Sequence, residues 1–236
     1  PALDDVAPER IRDELSVALA GAGGPRAIEL LAASGVFPRL WTGASPAEGE
    51  PAPWPAQRLE RFARLADGLD ARLRAGAVDR LVGTHATLFD EQPSGGAHLR
   101  RFHERGLVSN RQLRAIESLL AWRRPPATEP ERRWFLHRFG ALWPAAACSL
   151  ESARPVAYGQ RLRRLVELAI GEADRIFAPP PLLDGHEISE LLSLPPGPRL
   201  GDLAGRLRRA QIEGRISSRA EAVDWLVALA RGLDEG

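Results

Sequence analysis

Apolar residues recur at steps of three and four along almost the whole chain, and strict alternation of useful length is absent. That period predicts helices rather than strands. Ile11, Leu15, Ala18 and Leu19 share one face of a first helix, with Pro8 in its first turn and Glu9, Asp13 and Glu14 near its positive end. Gly21-Ala22-Gly23-Gly24 ends it, and a second helix carries Ile28, Leu31 and Ala32 from Pro25 to Gly35. Leu59, Phe62, Ala66, Leu69 and Leu73 build one apolar stripe on a longer helix. The chain is less regular from there to Ser109. Ser109 with Gln112 and Thr128 with Glu131 have capping-box spacing, and Leu113, Ile116 and Leu120 form the buried face behind the first box. Leu162, Leu165, Val166, Ala169, Ala173 and Ile176 line a helix running from about Pro155 to Phe177. Asp184 with Glu187 caps a brief helix. Leu200, Leu203, Ala204 and Leu207 pack the next, which Gly214 stops, and Ser218 with Glu221 caps a last helix with Val223, Leu226 and Leu229 inside. Residues 42–56 hold enough Pro and Gly to form a linker, and Pro125-Pro126, Pro179-Pro180-Pro181 and Pro195-Pro196-Gly197-Pro198 interrupt the chain further on. The expected fold class is all-α, an extended bundle or arc of helices.

Composition narrows the class. A chain of 236 residues, 44% hydrophobic and 27% charged, is that of an ordinary globular protein of one or two domains. No apolar run approaches the roughly 18 residues of a bilayer span, so no membrane partner is expected. Cys148 is the only cysteine. It admits no internal disulfide and no cysteine-built zinc site; a buried, inert thiol in the cytoplasm is expected. The first residues, Pro1-Ala2-Leu3-Asp4-Asp5, contain neither an initiator Met nor the parts of a signal peptide, so the chain is expected to begin inside a longer protein.

All 32 basic residues are arginine; Lys and Met are absent, and Asn110 and Tyr158 stand alone in their types. The planar guanidinium fork suits phosphate, but the joint loss of Lys, Met, Asn and Tyr points to a GC-rich coding bias. Schiff-base and phosphate-loop lysines are excluded. The net charge is +1, unevenly spread: residues 96–140 hold ten arginines against four acids, 1–95 ten against fourteen, and 141–236 twelve against thirteen. The basic segment is either a phosphate-facing surface or a solvated charged face.

The stretch Leu182-Leu183-Asp184-Gly185-His186-Glu187-Ile188-Ser189-Glu190-Leu191-Leu192, followed by Leu207-Arg208-Arg209-Ala210-Gln211-Ile212-Glu213-Gly214-Arg215-Ile216 and Ser218-Arg219-Ala220-Glu221-Ala222, resembles the tail of bacterial class II tRNA nucleotidyltransferases (CCA-adding enzymes) and poly(A) polymerases. Ala7-Pro8-Glu9-Arg10-Ile11-Arg12-Asp13-Glu14-Leu15 is similar to that family's neck motif, and Leu107-Val108-Ser109-Asn110-Arg111 through Arg124-Pro125-Pro126 resembles its body more loosely. The resemblance implies neck-like helices at 1–41, a linker at 42–56, a helical body at 57–178 with a degenerate phosphohydrolase-like region, and a tail domain at 179–236. It implies that Arg10 and Glu14 brace the neck. It also implies that the body and tail grip tRNA or another RNA, with Arg111, Arg114, Arg123 and Arg124 in the body and Arg206, Arg209 and Arg215 in the tail as the RNA-binding candidates. Contacts would be to phosphates and 2′-hydroxyls, read as shape.

The family's chemistry lies in an N-terminal head with a Gly-Ser loop, an Asp-x-Asp pair and a Glu-Asp-x-x-Arg motif. None is present in this sequence, where Asp4 and Asp5 are adjacent rather than alternating. Two-metal nucleotidyl transfer needs carboxylates to hold the ions. No catalytic residue, metal ligand or cofactor is therefore assigned to this chain; Mg and nucleotide triphosphates would belong to a head supplied in cis or in trans. The related phosphohydrolase signature needs an adjacent His-Asp pair, whereas here His85 and Asp90 are separated. The alternative is a headless, stand-alone relative acting as a helical protein-interaction scaffold.

Overall fold

A computed structural model of the chain describes residues 5–21, 23–36, 39–40, 56–69, 79–90 and 95–234. The described residues are helical, with no strand among them. The 42–56 linker, apart from Ala56, and Leu73 lie outside them. No helix among them is long and apolar enough to cross a membrane.

The helices form two compact units. The first comprises Pro1–Pro125 and Ala141–Gly159, and the second Pro126–Gly140 and Gln160–Gly236. In the first unit, α1 (Pro8–Ala20) opens with Pro8 at its start and buries Leu15 and Leu19. It packs against α2 (Gly24–Ala33), whose Ile28 is fully enclosed. Then come α3 (Ala56–Gly68), α4 (Arg80–Phe89), α5 (Gly95–Glu104) and α6 (Asn110–Ala121). On α3, Leu59, Phe62 and Ala66 are buried as the stripe predicts. On α6 the Ser109–Gln112 capping box forms, and the buried face centres on Ile116 and Leu119, with Leu113 and Leu120 only half-buried.

The irregular stretch before Ser109 holds the middle of the unit. Asp79 caps α4 by accepting from the Val82 amide, and every side chain from Val82 to Phe89 is buried. It packs against α1, α3, α5, α6 and α8 (Trp143–Ala153). A helix enclosed on all sides has no polar face and hence no amphipathic period to read. The same holds for α8, where Trp143 to Ser149 are all buried. Cys148 lies there, buried as expected, its thiol pushed up to about 12, first by burial and then by the nearby Glu151.

In the second unit, α7 (Glu129–Phe139) starts from the Thr128–Glu131 capping box. The helix expected over Pro155 to Phe177 is two: α9 (Pro155–Gly171), which belongs to this unit from Gln160 on, and α10 (Ala173–Phe177), broken at Glu172, whose φ is −131°. Glu172 leaves the helical path at the point where its carboxylate takes a hydrogen bond from Arg133, 2.6 Å away. Next come α11 (Gly185–Leu192), α12 (Pro198–Ile212) and α13 (Arg219–Asp234). Leu183, Ile188, Leu203, Leu207, Ala210, Ile216, Ala222 and Leu226 form their common core, with Leu200, Ala204, Val223 and Leu229 packed against it.

The tightest approach in the first unit is at Gly83 on α4. A Cβ there would collide with the ring of Phe62 and lie 3.3 Å from the Ala145 Cβ. Phe62 is itself buried, so its ring would have to repack within the core. Gly83→Ala is expected to destabilise the first unit by about 1–3 kcal/mol despite its better helix propensity. A urea melt reads this; an unchanged or raised midpoint would contradict the close packing.

Candidate nucleic-acid interface

The arginines of the basic segment do two kinds of work. Arg105 donates to the backbone carbonyls of Arg39 and Leu40, at 3.2 and 3.0 Å, and Arg132 to that of Ala127 at 2.6 Å. Arg133 is largely enclosed between Glu129 and Glu172. These guanidiniums hold the fold together. Residues 96–140 are also divided between the two units, 96–125 in the first and 126–140 in the second. Arg111 and Arg114 are exposed on α6 without an ion-pair partner among the described residues. Arg123 is exposed but donates to Asp90 at 3.2 Å, and Arg124 is exposed beside it, past the end of α6. Arg10 and Glu14 stand one turn apart on α1, both exposed, and line an open hollow with Val6, Ile11, Leu15, Leu31 and Leu40; they do not pair with each other.

The tail candidates sit on a more ordered feature. The apolar stripe of α12, Leu203, Leu207 and Ala210, faces the core and turns Arg206 and Arg209 outward. Arg206 pairs with Asp202 one turn back, at 2.8 Å. The helix ends in a Schellman turn: the Gly214 amide donates to Gln211 and the Arg215 amide to Ala210, at 3.0 and 2.9 Å. Gly214 takes φ 76°, the left-handed region that favours glycine. A Cβ on it would also touch the Arg133 guanidinium, 3.4 Å away. The turn folds Arg215 back beside Glu213. The Glu213 carboxylate accepts from Arg209 Nε at 2.7 Å and pairs with Arg215 Nη2 at 2.8 Å. The Arg209 guanidinium lies over the Trp134 ring of α7, 5.0 Å from its centroid.

Thus two of the three tail arginines are brought together and the third is not. Glu213, Trp134 and Arg133 are the residues the sequence reading missed. The sequence held one local signal, an arginine four residues before Glu213 and another two after it. That spacing alone reads as an exposed ion pair.

No family model matches the chain, and no solved structure matches it. Over 106 residues it is 34% identical to an A-adding tRNA nucleotidyltransferase of Deinococcus radiodurans. The likeness supports a relationship to tRNA nucleotidyltransferases. It covers 41% of this chain but only 24% of the Deinococcus protein.

At the phosphohydrolase-like position, His85 and Asp90 are each engaged by other groups. His85 is buried on α4, and its Nδ1 lies 2.8 Å from the Leu81 carbonyl, to which it donates. It stacks on Phe89. Asp90 is held by Arg58 at 2.9 Å and Arg123 at 3.2 Å. Among the described residues no group of His, Cys, Asp and Glu gathers to hold a metal ion. Burial pulls His85 below its ordinary 6.5, against the Leu81 hydrogen bond and the Asp79 charge. His98 is lowered too, by partial burial and then by Arg101. A histidine kept neutral in the fold but free to protonate when unfolded contributes stability above the unfolded pKa and loses it as pH falls below. The urea midpoint should therefore drop between about pH 7.5 and about pH 5.5, and His85→Leu should remove much of that drop. A variant with the same pH slope as the wild type would place the titration elsewhere.

Proposed function

We propose that this chain binds and positions RNA, with tRNA the favoured substrate, as the neck, body and tail of a class II tRNA nucleotidyltransferase or poly(A) polymerase-type enzyme, and that it does not itself transfer nucleotides. The observation that carries this reading is the 34% identity to the Deinococcus A-adding tRNA nucleotidyltransferase. The exposed guanidiniums of Arg111, Arg114, Arg209 and Arg215 support it, because arginine reads phosphate through two parallel hydrogen bonds. Arg206, Arg123 and Arg124 belong to the same proposed set. The carboxylates, magnesium ions and nucleotide triphosphates of the reaction belong, in this reading, to a catalytic head acting in cis or in trans.

A second reading, a helical scaffold for another protein, is favoured by Val17 and Leu30, 78% and 55% exposed on the neighbouring helices α1 and α2. A tRNA titration separates the two. The RNA-binding reading expects salt-sensitive association at micromolar concentration. Each of Arg111→Gln and Arg114→Gln is then expected to reduce the slope of log affinity against log salt by about one unit. No association in dilute buffer, or extension of the tRNA 3′ end by the chain unaided, would contradict the proposal.

A further inference from the structure

We infer that Glu213 is a positioning residue for RNA phosphate, holding Arg209 and Arg215 as one two-pronged donor. The inference rests on the RNA-binding reading and assigns it a site. The Glu213 side chain is 5% exposed, while those of Arg209 and Arg215 are 57% and 61% exposed. Solvent therefore meets the guanidiniums and not the acid beneath them. Glu213 is also the residue that ends α12, where the helix dipole already places partial negative charge. A carboxylate buried there is costly unless cations neutralise it, and the two arginines do so at its two oxygens, Arg209 from the last helical turn at Oε1 and Arg215 from the Schellman turn at Oε2.

Each arginine spends only part of its fork on Glu213. Arg209 uses Nε, leaving both Nη groups; Arg215 uses Nη2, leaving Nη1 and Nε. The Trp134 ring beneath Arg209 removes further side-chain freedom. Arg208, next on the helix, donates to Gln211 rather than to an acid, so its charge is not cancelled there. The result is a pair of guanidiniums whose geometry is set before ligand arrives, which lowers the ordering cost of binding. Arg206 pairs one-to-one with Asp202, whose side chain is 55% exposed, and so lacks a buried acid beneath it.

The test is a tRNA titration of the full chain and its variants across a salt series. Glu213→Gln removes a negative charge beside the proposed phosphate site. If Glu213 were only an electrostatic neighbour, the variant would bind tRNA more tightly. As a positioning residue its loss is expected to weaken binding roughly fivefold, with the salt slope nearly kept. Circular dichroism checks that Glu213→Gln keeps its helices. Arg209→Lys/Arg215→Lys, both on exposed side chains, carries the same test if it does not: charge is retained, the fork is lost, and a weakening of roughly tenfold is expected. Tighter or unchanged binding by folded Glu213→Gln, or unchanged binding by the double lysine variant, overturns the inference while leaving the RNA-binding reading intact. A wild-type chain that ignores tRNA overturns both.

Discussion

The Arg133 guanidinium ties α7 to the remainder of its unit, beside the buried side chains of Phe135, Leu136 and Phe139. The segment carrying it is followed in the chain by α8, which packs in the other unit, so α7 must be secured by contacts with residues far along the sequence. Arg133 reaches Glu172 at the α9–α10 break, His137 lies 2.8 Å from the Ile176 carbonyl, and Trp134 meets Arg209. The absence of a side chain at Gly214 leaves room for Arg133 beside the turn that ends α12. The placement of Glu213, Arg209 and Arg215 follows from this docking. The turn is fixed by its own backbone hydrogen bonds, and the platform under Arg209 is supplied by α7.

What the sequence revealed was local. The capping boxes at Ser109, Thr128 and Asp184 form as their spacing predicts, because each is closed by side chains within three residues of its partner amide. The half-buried helices showed their stripes. Helices α4 and α8 did not, since burial on every side erases the polar positions that mark a period. The break at Glu172 was hidden for another reason: it coincides with an ion pair to a residue on a different helix, which no local pattern marks. The tail site was half legible. Its arginines stood out by type, while the burial of Glu213, which distinguishes a held pair of guanidiniums from a solvated one, depends on packing that no local pattern encodes.

With no lysine, arginine supplies the permanent positive charge of this protein, and among the described residues the fold uses it as a bridge to backbone carbonyls at Arg105 and Arg132, as an enclosed ion pair at Arg133, and as an exposed donor on α6 and α12. Charge counting cannot separate these uses. Fractional exposure and the identity of the partner can, and among the described residues they mark the end of α12 as a place where two outward-facing guanidiniums share one buried acid.

The most direct test of this view is to find where RNA touches the protein. Ultraviolet crosslinking of the full chain to tRNA, followed by mass spectrometry of the attached peptides, would map the contact without altering any residue. The arrangement predicts attachment at Trp134 and within the segment from Arg206 to Arg215. Crosslinks that leave both untouched while forming elsewhere would contradict it.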